Sequence, residues 1–108
     1  KMFFDIACNL GASPEFLRMD GSGTKSSLWR ETVCDILEKP VMALKAPDAS
    51  ALIGAAILMS KALGIISDFK DVKISWSERH EPKMDGFYNE PYQKFLNRFL
   101  AEVAESNI

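Results

Sequence analysis

The chain has 108 residues, of which 47% are hydrophobic and 26% charged, an ordinary globular composition that excludes a wholly disordered chain. Its 13 Lys+Arg against 15 Asp+Glu leave a net charge of −2, which argues against a general electrostatic grip on nucleic acid but leaves a small-ligand site open. Two cysteines and one histidine are too few for a structural zinc centre, which takes about four such ligands.

Phe3, Ile6, Ala7 and Leu10 fall on one face of a first helix, which Gly11 and Pro14 bring to an end. The pattern begins at Lys1-Met2-Phe3-Phe4 with no turn or cap before it, so residues 1–108 are expected to be a fragment of a longer protein. Glu15–Met19 reads as a short strand, stopped by the turn Asp20-Gly21-Ser22-Gly23. A second helix starts at Ser26 or Ser27, either of which can cap it, and places Trp29, Val33, Ile36 and Leu37 on one face. Glu38-Lys39-Pro40 ends it. Val41–Leu44 is a continuous apolar run of strand length, as in a parallel sheet covered on both sides.

Ala46-Pro47-Asp48 forms a turn, and Ala49–Leu63 a helix apolar nearly all round. Its uncharged run, Ala49–Ser60, is far shorter than the roughly 20 residues of a membrane span, so a buried helix and no membrane contact are expected. Residues 65–86 are irregular or carry one short element. Tyr88, Tyr92, Phe95, Leu96, Phe99, Leu100 and Val103 recur at helical spacing and read as the core face of a last helix. The order is helix, strand, helix, strand, helix, helix: an α/β unit whose strands are parallel and joined by a right-handed crossover. Such a sheet is thin, which again points to lost neighbours. Cys8 and Cys34 lie in apolar helical patterns and read as reduced core thiols of a cytoplasmic protein without a secretory signal.

The segment Asp20–Ser26 joins a strand to a helix, the position at which α/β proteins hold nucleotides. It is not a P-loop, because Thr24 separates Gly23 from Lys25 and no glycine stands at the upstream position. It is not G-x-G-x-x-G either, because Ser26 stands where the last glycine belongs. A glycine turn with a Ser cap accounts for the same residues without any ligand. Asp20 reads as a turn residue, His80 as a surface or packing residue, and Trp29 as core. Asp5, Asp20 and Glu81 have no visible acid/base partner.

Met19-Asp20-Gly21-Ser22-Gly23-Thr24-Lys25-Ser26-Ser27-Leu28-Trp29-Arg30 resembles the adenosine-binding segment of the FGGY carbohydrate kinases, commonly G-G-G-A-K-S-x-L-W-R. Ser22 replaces a glycine and Thr24 a small residue. Ala51–Leu58 is similar to that family's A-A-L-G-A-A-x-L helix, with Ala49 and Ser50 where a polar residue usually stands. His80-Glu81-Pro82, Phe87-Tyr88 and Tyr92 resemble its closing segment. Together the three cover roughly residues 1–105, in order.

The resemblance implies a partial actin-like (ribonuclease H-like) ATPase domain, with residues 1–108 the C-terminal part of the ATP-binding domain. The activity implied is transfer of the ATP γ-phosphoryl group to a sugar hydroxyl with Mg²⁺, closest to the xylulose kinases; gluconate, fuculose and glycerol kinases are alternatives. The catalytic aspartate, the sugar pocket and the phosphate loop would lie upstream, so this chain carries no catalytic or metal residue and is inactive alone. Gly21, Ser22 and Gly23 would wall the adenosine and α-phosphate, and Ser26 would bond adenine or ribose. Lys25 flanks the nucleotide or is solvated, the solvated reading coming first. A non-catalytic α/β association module that binds no nucleotide is the reading from another class. Apolar surface left by missing strands implies limited stability and self-association, a homodimer among the forms.

Overall fold

The computed structural model describes residues 1–106. Its elements are α1 (Met2–Asn9), β1 (Leu17–Met19), α2 (Ser27–Leu37), β2 (Val41–Ala43), α3 (Ser50–Ala62) and α4 (Asn89–Ser106), with 3₁₀ turns at Ser22–Lys25, Pro47–Ala49 and Phe69–Asp71.

The strands β1 and β2 pair in parallel, Leu17 opposite Val41 and Met19 opposite Ala43. The ladder continues past the strand ends: the Leu17 N–H donates to Pro40 O at 2.8 Å and the Leu44 N–H to Met19 O at 3.0 Å. The other edge of β2 is occupied as well. Residues 75–80 run antiparallel to it, with bridges Val41–His80 and Leu44–Trp76. Between those bridges β2 advances three residues and its partner four, so the 75–80 segment carries a β-bulge. The sheet is therefore a pair of parallel strands flanked by a third extended segment. Ser75–His80 is polar or charged except for Trp76 and holds no apolar run by which it could be read as a strand.

Ser26 begins α2 by accepting the Trp29 N–H at its hydroxyl, 3.3 Å away, which satisfies one of the orphan donors of the first turn. Glu38 ends it in the left-handed region at φ 53°, and Pro40 bars continuation. The last turn of α2 then anchors the distant 80–86 loop. Asp35 Oδ1 accepts the backbone N–H groups of Lys83 at 2.7 Å and Met84 at 3.2 Å. Glu38 Oε1 accepts that of Gly86 at 3.1 Å. Cys34 Sγ lies 3.2 Å from Lys39 O and 3.3 Å from His80 O, so one S–H is shared between two carbonyls.

The buried core sits where α2 crosses β2. Its apolar members are Cys34, Val41, Ala43 and Leu44, joined by the polar Thr24 and Asp35. This is a small core for the chain. The folded surface is 8042 Å², against about 6,000 Å² for a compact monomer of 12.1 kDa. The radius of gyration is 17.9 Å, where about 13 Å is usual for this length.

The apolar helix faces are correspondingly open, contrary to the sequence expectation. No residue of α3 is buried, and Leu52, Leu58 and Met59 are exposed rather than enclosed. In α4 the rings of Tyr92, Phe95 and Phe99 stack along the helix, but Phe95, Phe99, Leu100 and Val103 remain exposed. Trp29 is 52% exposed and is not core. On α1, Phe3 and Ile6 face solvent, as does Leu10 just past its end, and Cys8 is only half-buried. Periodicity reports that a face is apolar; it carries no information on what lies opposite. Both cysteines are free thiols. Among the described residues no helix is long and apolar enough to cross a membrane.

Candidate functional site

The loop between β1 and α2 leaves the sheet at the carboxyl end of β1. Asp20 turns the chain by accepting the Gly21 N–H at Oδ1, 2.6 Å away, the turn role its residue type favours. Gly21 has φ 95° and ψ 159°, a region that is essentially closed to residues with a Cβ. A Cβ built there would meet no atom within 4 Å, so the requirement for glycine is one of backbone conformation and the space above the peptide is open.

The chain then forms the 3₁₀ turn Ser22–Lys25. Thr24 holds it from within: both its N–H, at 3.0 Å, and its hydroxyl, at 2.7 Å, donate to Gly21 O. Thr24 is 2% exposed, whereas Ser22, Gly23, Lys25 and Ser26 face solvent. Arg30, one turn into α2, reaches back over the loop. Its Nη1 donates to Thr24 O at 2.5 Å and Lys25 O at 3.2 Å, and its buried Nε has no partner among the described residues. The Lys25 ammonium pairs with Asp48 at the start of the next 3₁₀ turn, so it is exposed but not simply solvated. Gly23 sits against the Trp29 indole, which a Cβ would approach at 3.7 Å, an ordinary contact distance.

Gly21, Ser22, Gly23, Lys25 and Ser26 thus belong to one continuous turn ending in a helix cap. A cleft of about 310 Å³ opens beside them, off the carboxyl ends of both parallel strands, lined by Thr24, Lys25, Arg30, Lys45, Pro47 and Ser77 among others. That is the position at which open α/β sheets bind ligands. Three of these residues, Arg30, Lys45 and Ser77, were given no role in the sequence reading. Arg30 was recoverable, because it lies four residues after the cap and so shares its helix face. Ser77 was not: only the bulged pairing with β2 brings it here.

The isolated acids have structural partners elsewhere. Asp5 pairs with Lys1 at 2.9 Å and Glu81 with Arg79 at 2.7 Å. His80 is half-buried, and its backbone pairs with Val41. Among the described residues no three His, Cys, Asp or Glu side chains gather as a metal site.

Comparison with known proteins accords with this geometry. Residues 2–63 match the model of the FGGY family of carbohydrate kinases, C-terminal domain. The chain is 35% identical over 104 residues to a xylulose kinase of Haemophilus influenzae, covering 94% of this chain and 21% of that protein. It is 33% identical over 98 residues to a glycerol kinase of Deinococcus radiodurans, covering 89% and 19%. It is 28% identical over 109 residues to an autoinducer-2 kinase of Enterobacter sp., covering 92% and 20%. The chain spans about a fifth of the length of these relatives. Because the family model covers more than half of the chain, and includes the strand, the glycine loop, the capped helix and α3, the chain belongs to the FGGY family of carbohydrate kinases.

Proposed function

We propose that residues 1–108 are the C-terminal part of the ATP-binding domain of an actin-like carbohydrate kinase, and that Gly21–Ser26 faces the adenosine and α-phosphate of ATP. The observation that carries this reading is the Gly-only backbone at Gly21, with open space above it, at the carboxyl end of β1 and just before the capped helix. A flat or anionic ligand can approach such a peptide closely, and the first turn of α2 favours negative charge. These residues fit a nucleotide. ATP supplies the γ-phosphoryl group for transfer to a sugar hydroxyl; this chain's part is to bind and orient the nucleotide. Gly21, Ser22 and Gly23 present the backbone wall. Ser26, whose hydroxyl oxygen holds the Trp29 N–H, keeps its own O–H for adenine or ribose. Lys25 is held at the loop edge by Asp48.

No three His, Cys, Asp or Glu side chains gather among the described residues, and Mg²⁺ would be held with ATP by groups outside residues 1–108. The sugar pocket and the general base belong to parts of the parent enzyme outside residues 1–108, and this chain alone is inactive. Xylulose is the sugar we favour, because the chain is 35% identical over 104 residues to a xylulose kinase. The glycerol and autoinducer-2 kinase relatives keep other polyols and sugars as the alternatives. A cytoplasmic setting fits the two free thiols.

The test is an ATP titration followed by amide shifts. Selective shifts of Gly21, Ser22 and Gly23 are expected, even at millimolar affinity. The absence of such shifts in both this chain and the family-length protein would overturn the reading. A second reading, an association module without nucleotide, rests on Ser22 in the loop and on the open apolar faces of α1, α3 and α4. It requires ATP-independent self-association, a homodimer in the simplest case, measurable by sedimentation.

A further inference from the structure

Asp-Gly occurs twice in the sequence, at Asp20-Gly21 and at Asp85-Gly86. In such a pair the glycine nitrogen can attack the side-chain carboxyl carbon of the aspartate, because glycine has no Cβ to obstruct the approach. Both aspartates are exposed, so access to water does not distinguish them. What differs is the partner of the glycine N–H. The Gly21 N–H donates to Oδ1 of Asp20 itself at 2.6 Å, so the nitrogen already rests against the carboxyl group that it would attack. The Gly86 N–H donates instead to Oε1 of Glu38, 3.1 Å away on the last turn of α2. The surroundings differ too. At Gly21, with φ 95°, a built Cβ meets no atom within 4 Å, which leaves that face of the peptide open to water. At Gly86 the Asn89 side-chain nitrogen stands 3.3 Å from the same position. Reacting groups held in contact react far faster than groups that must first find each other.

We infer that Asp20-Gly21 is a site of spontaneous isoaspartate formation, and that Glu38 protects Asp85-Gly86 from the same reaction. The Gly21 nitrogen attacks Cγ of the protonated Asp20 carboxyl. The N–Cγ bond forms, the Cγ–OH bond breaks, and the hydroxyl leaves with the amide proton as water. The product is a cyclic succinimide. Water then adds to the main-chain carbonyl carbon of Asp20 and breaks its bond to nitrogen. The chain now runs through the former side chain, and the α-carboxyl is set free. One water is released and one consumed, with no oxidant, reductant or cofactor. The extra methylene displaces Gly21, whose carbonyl accepts both the Thr24 N–H at 3.0 Å and the Thr24 hydroxyl at 2.7 Å. The 3₁₀ turn Ser22–Lys25 loses its internal tie. None of this depends on whether a nucleotide binds the loop.

The test ages the 108-residue chain in warm, mildly acidic buffer, where part of the carboxyl is protonated, and ages the same chain in urea. An endoproteinase that cuts before aspartate but not before isoaspartate, followed by mass spectrometry, gives the rate at each pair. In the folded chain Asp20 is expected to isomerise several-fold faster than Asp85; in urea the two rates draw together. Glu38→Gly suits the left-handed backbone at that position, φ 53°, and frees the Gly86 N–H. It should raise the Asp85 rate several-fold and leave Asp20 unchanged. The isoaspartate form should exchange its Thr24 amide faster than the parent chain. Equal rates at Asp20 and Asp85 in the folded chain overturn the inference. A slower rate at Asp20 folded than in urea overturns it too, because the loop would then hold the groups apart. An unchanged Asp85 rate in Glu38→Gly overturns the protective role of Glu38.

Discussion

Ser77 answers both backbone groups of Ala43. Its N–H donates to Ala43 O at 2.7 Å, and its hydroxyl oxygen accepts the Ala43 N–H at 2.9 Å. The side chain thus replaces the carbonyl that the bulge moved out of register. Ala43 is 3% exposed, so water cannot substitute easily. Ser77→Ala strands that donor and is expected to cost about 1–3 kcal/mol. Urea denaturation of the two proteins checks it; a loss of less than about 0.5 kcal/mol would show that the Ala43 amide finds another acceptor.

Gly21→Ala separates conformation from contact. No neighbour would be struck, so any effect is backbone strain at φ 95°, of order 1–3 kcal/mol. The loop is expected to leave its present path, lowering stability and weakening ATP binding together. Gly23→Ala is the control, since the added methyl would sit 3.7 Å from the Trp29 ring and Gly23 has no positive φ. Equal penalties at the two positions would refute this account.

Asp35 ties α2 to a loop 48 and 49 residues further along the chain. Asp35→Ala removes a buried acceptor of two backbone donors and should cost about 1.5–3 kcal/mol, with faster hydrogen exchange at the Lys83 and Met84 amides. Asp35→Asn keeps one oxygen and should lose less. Unchanged exchange at those two amides in Asp35→Ala would mean that the loop is held without Asp35, by the Glu38 bond to Gly86 and the Glu31–Lys83 pair.

The Cys34 thiol titrates above its ordinary value of 9.0, because burial disfavours the thiolate and the neighbouring Asp35 carboxylate repels it. The folded chain therefore keeps a proton that the unfolded chain releases. The associated stability is complete below the ordinary value and falls as pH rises through the raised one. Denaturation midpoints between about pH 8 and about pH 10 should drop more steeply in the wild type than in Cys34→Ala. Parallel curves would remove Cys34 from the alkaline limb.

The parts of this structure that were legible in the sequence are those set by local chemistry. Ser26 reads as a cap because its hydroxyl stands just before a helical pattern and can accept an N–H of the next turn, and Gly21 as a backbone device because it follows a strand and a turn-forming Asp. Val41, Ala43 and Leu44 are buried as their apolar run implies, with Met42 half-buried between them. What was not legible depends on partners distant in the chain. Ser77 enters the cleft only through the pairing of 75–80 with β2, and no local pattern announces a polar, bulged strand. Trp29, Phe95 and Leu58 failed as core residues for a related reason: amphipathicity specifies a face, and burial needs a second surface. In the site, residue identities located the loop, but the Arg30 bonds to Thr24 and Lys25 required the turn of α2 to be in place.

The large folded surface has a consequence for how the chain denatures. The sensitivity of stability to urea, and the heat capacity released on melting, both scale with area newly hydrated, and here much apolar area is already wet at Phe3, Leu52, Leu58 and Leu63. Unfolding should therefore be gradual, with a urea slope and a calorimetric step well below those of a compact chain of 108 residues. Any molecule that covers those faces would sharpen the transition as well as raise its midpoint, so the steepness of the melt is itself an assay for docking.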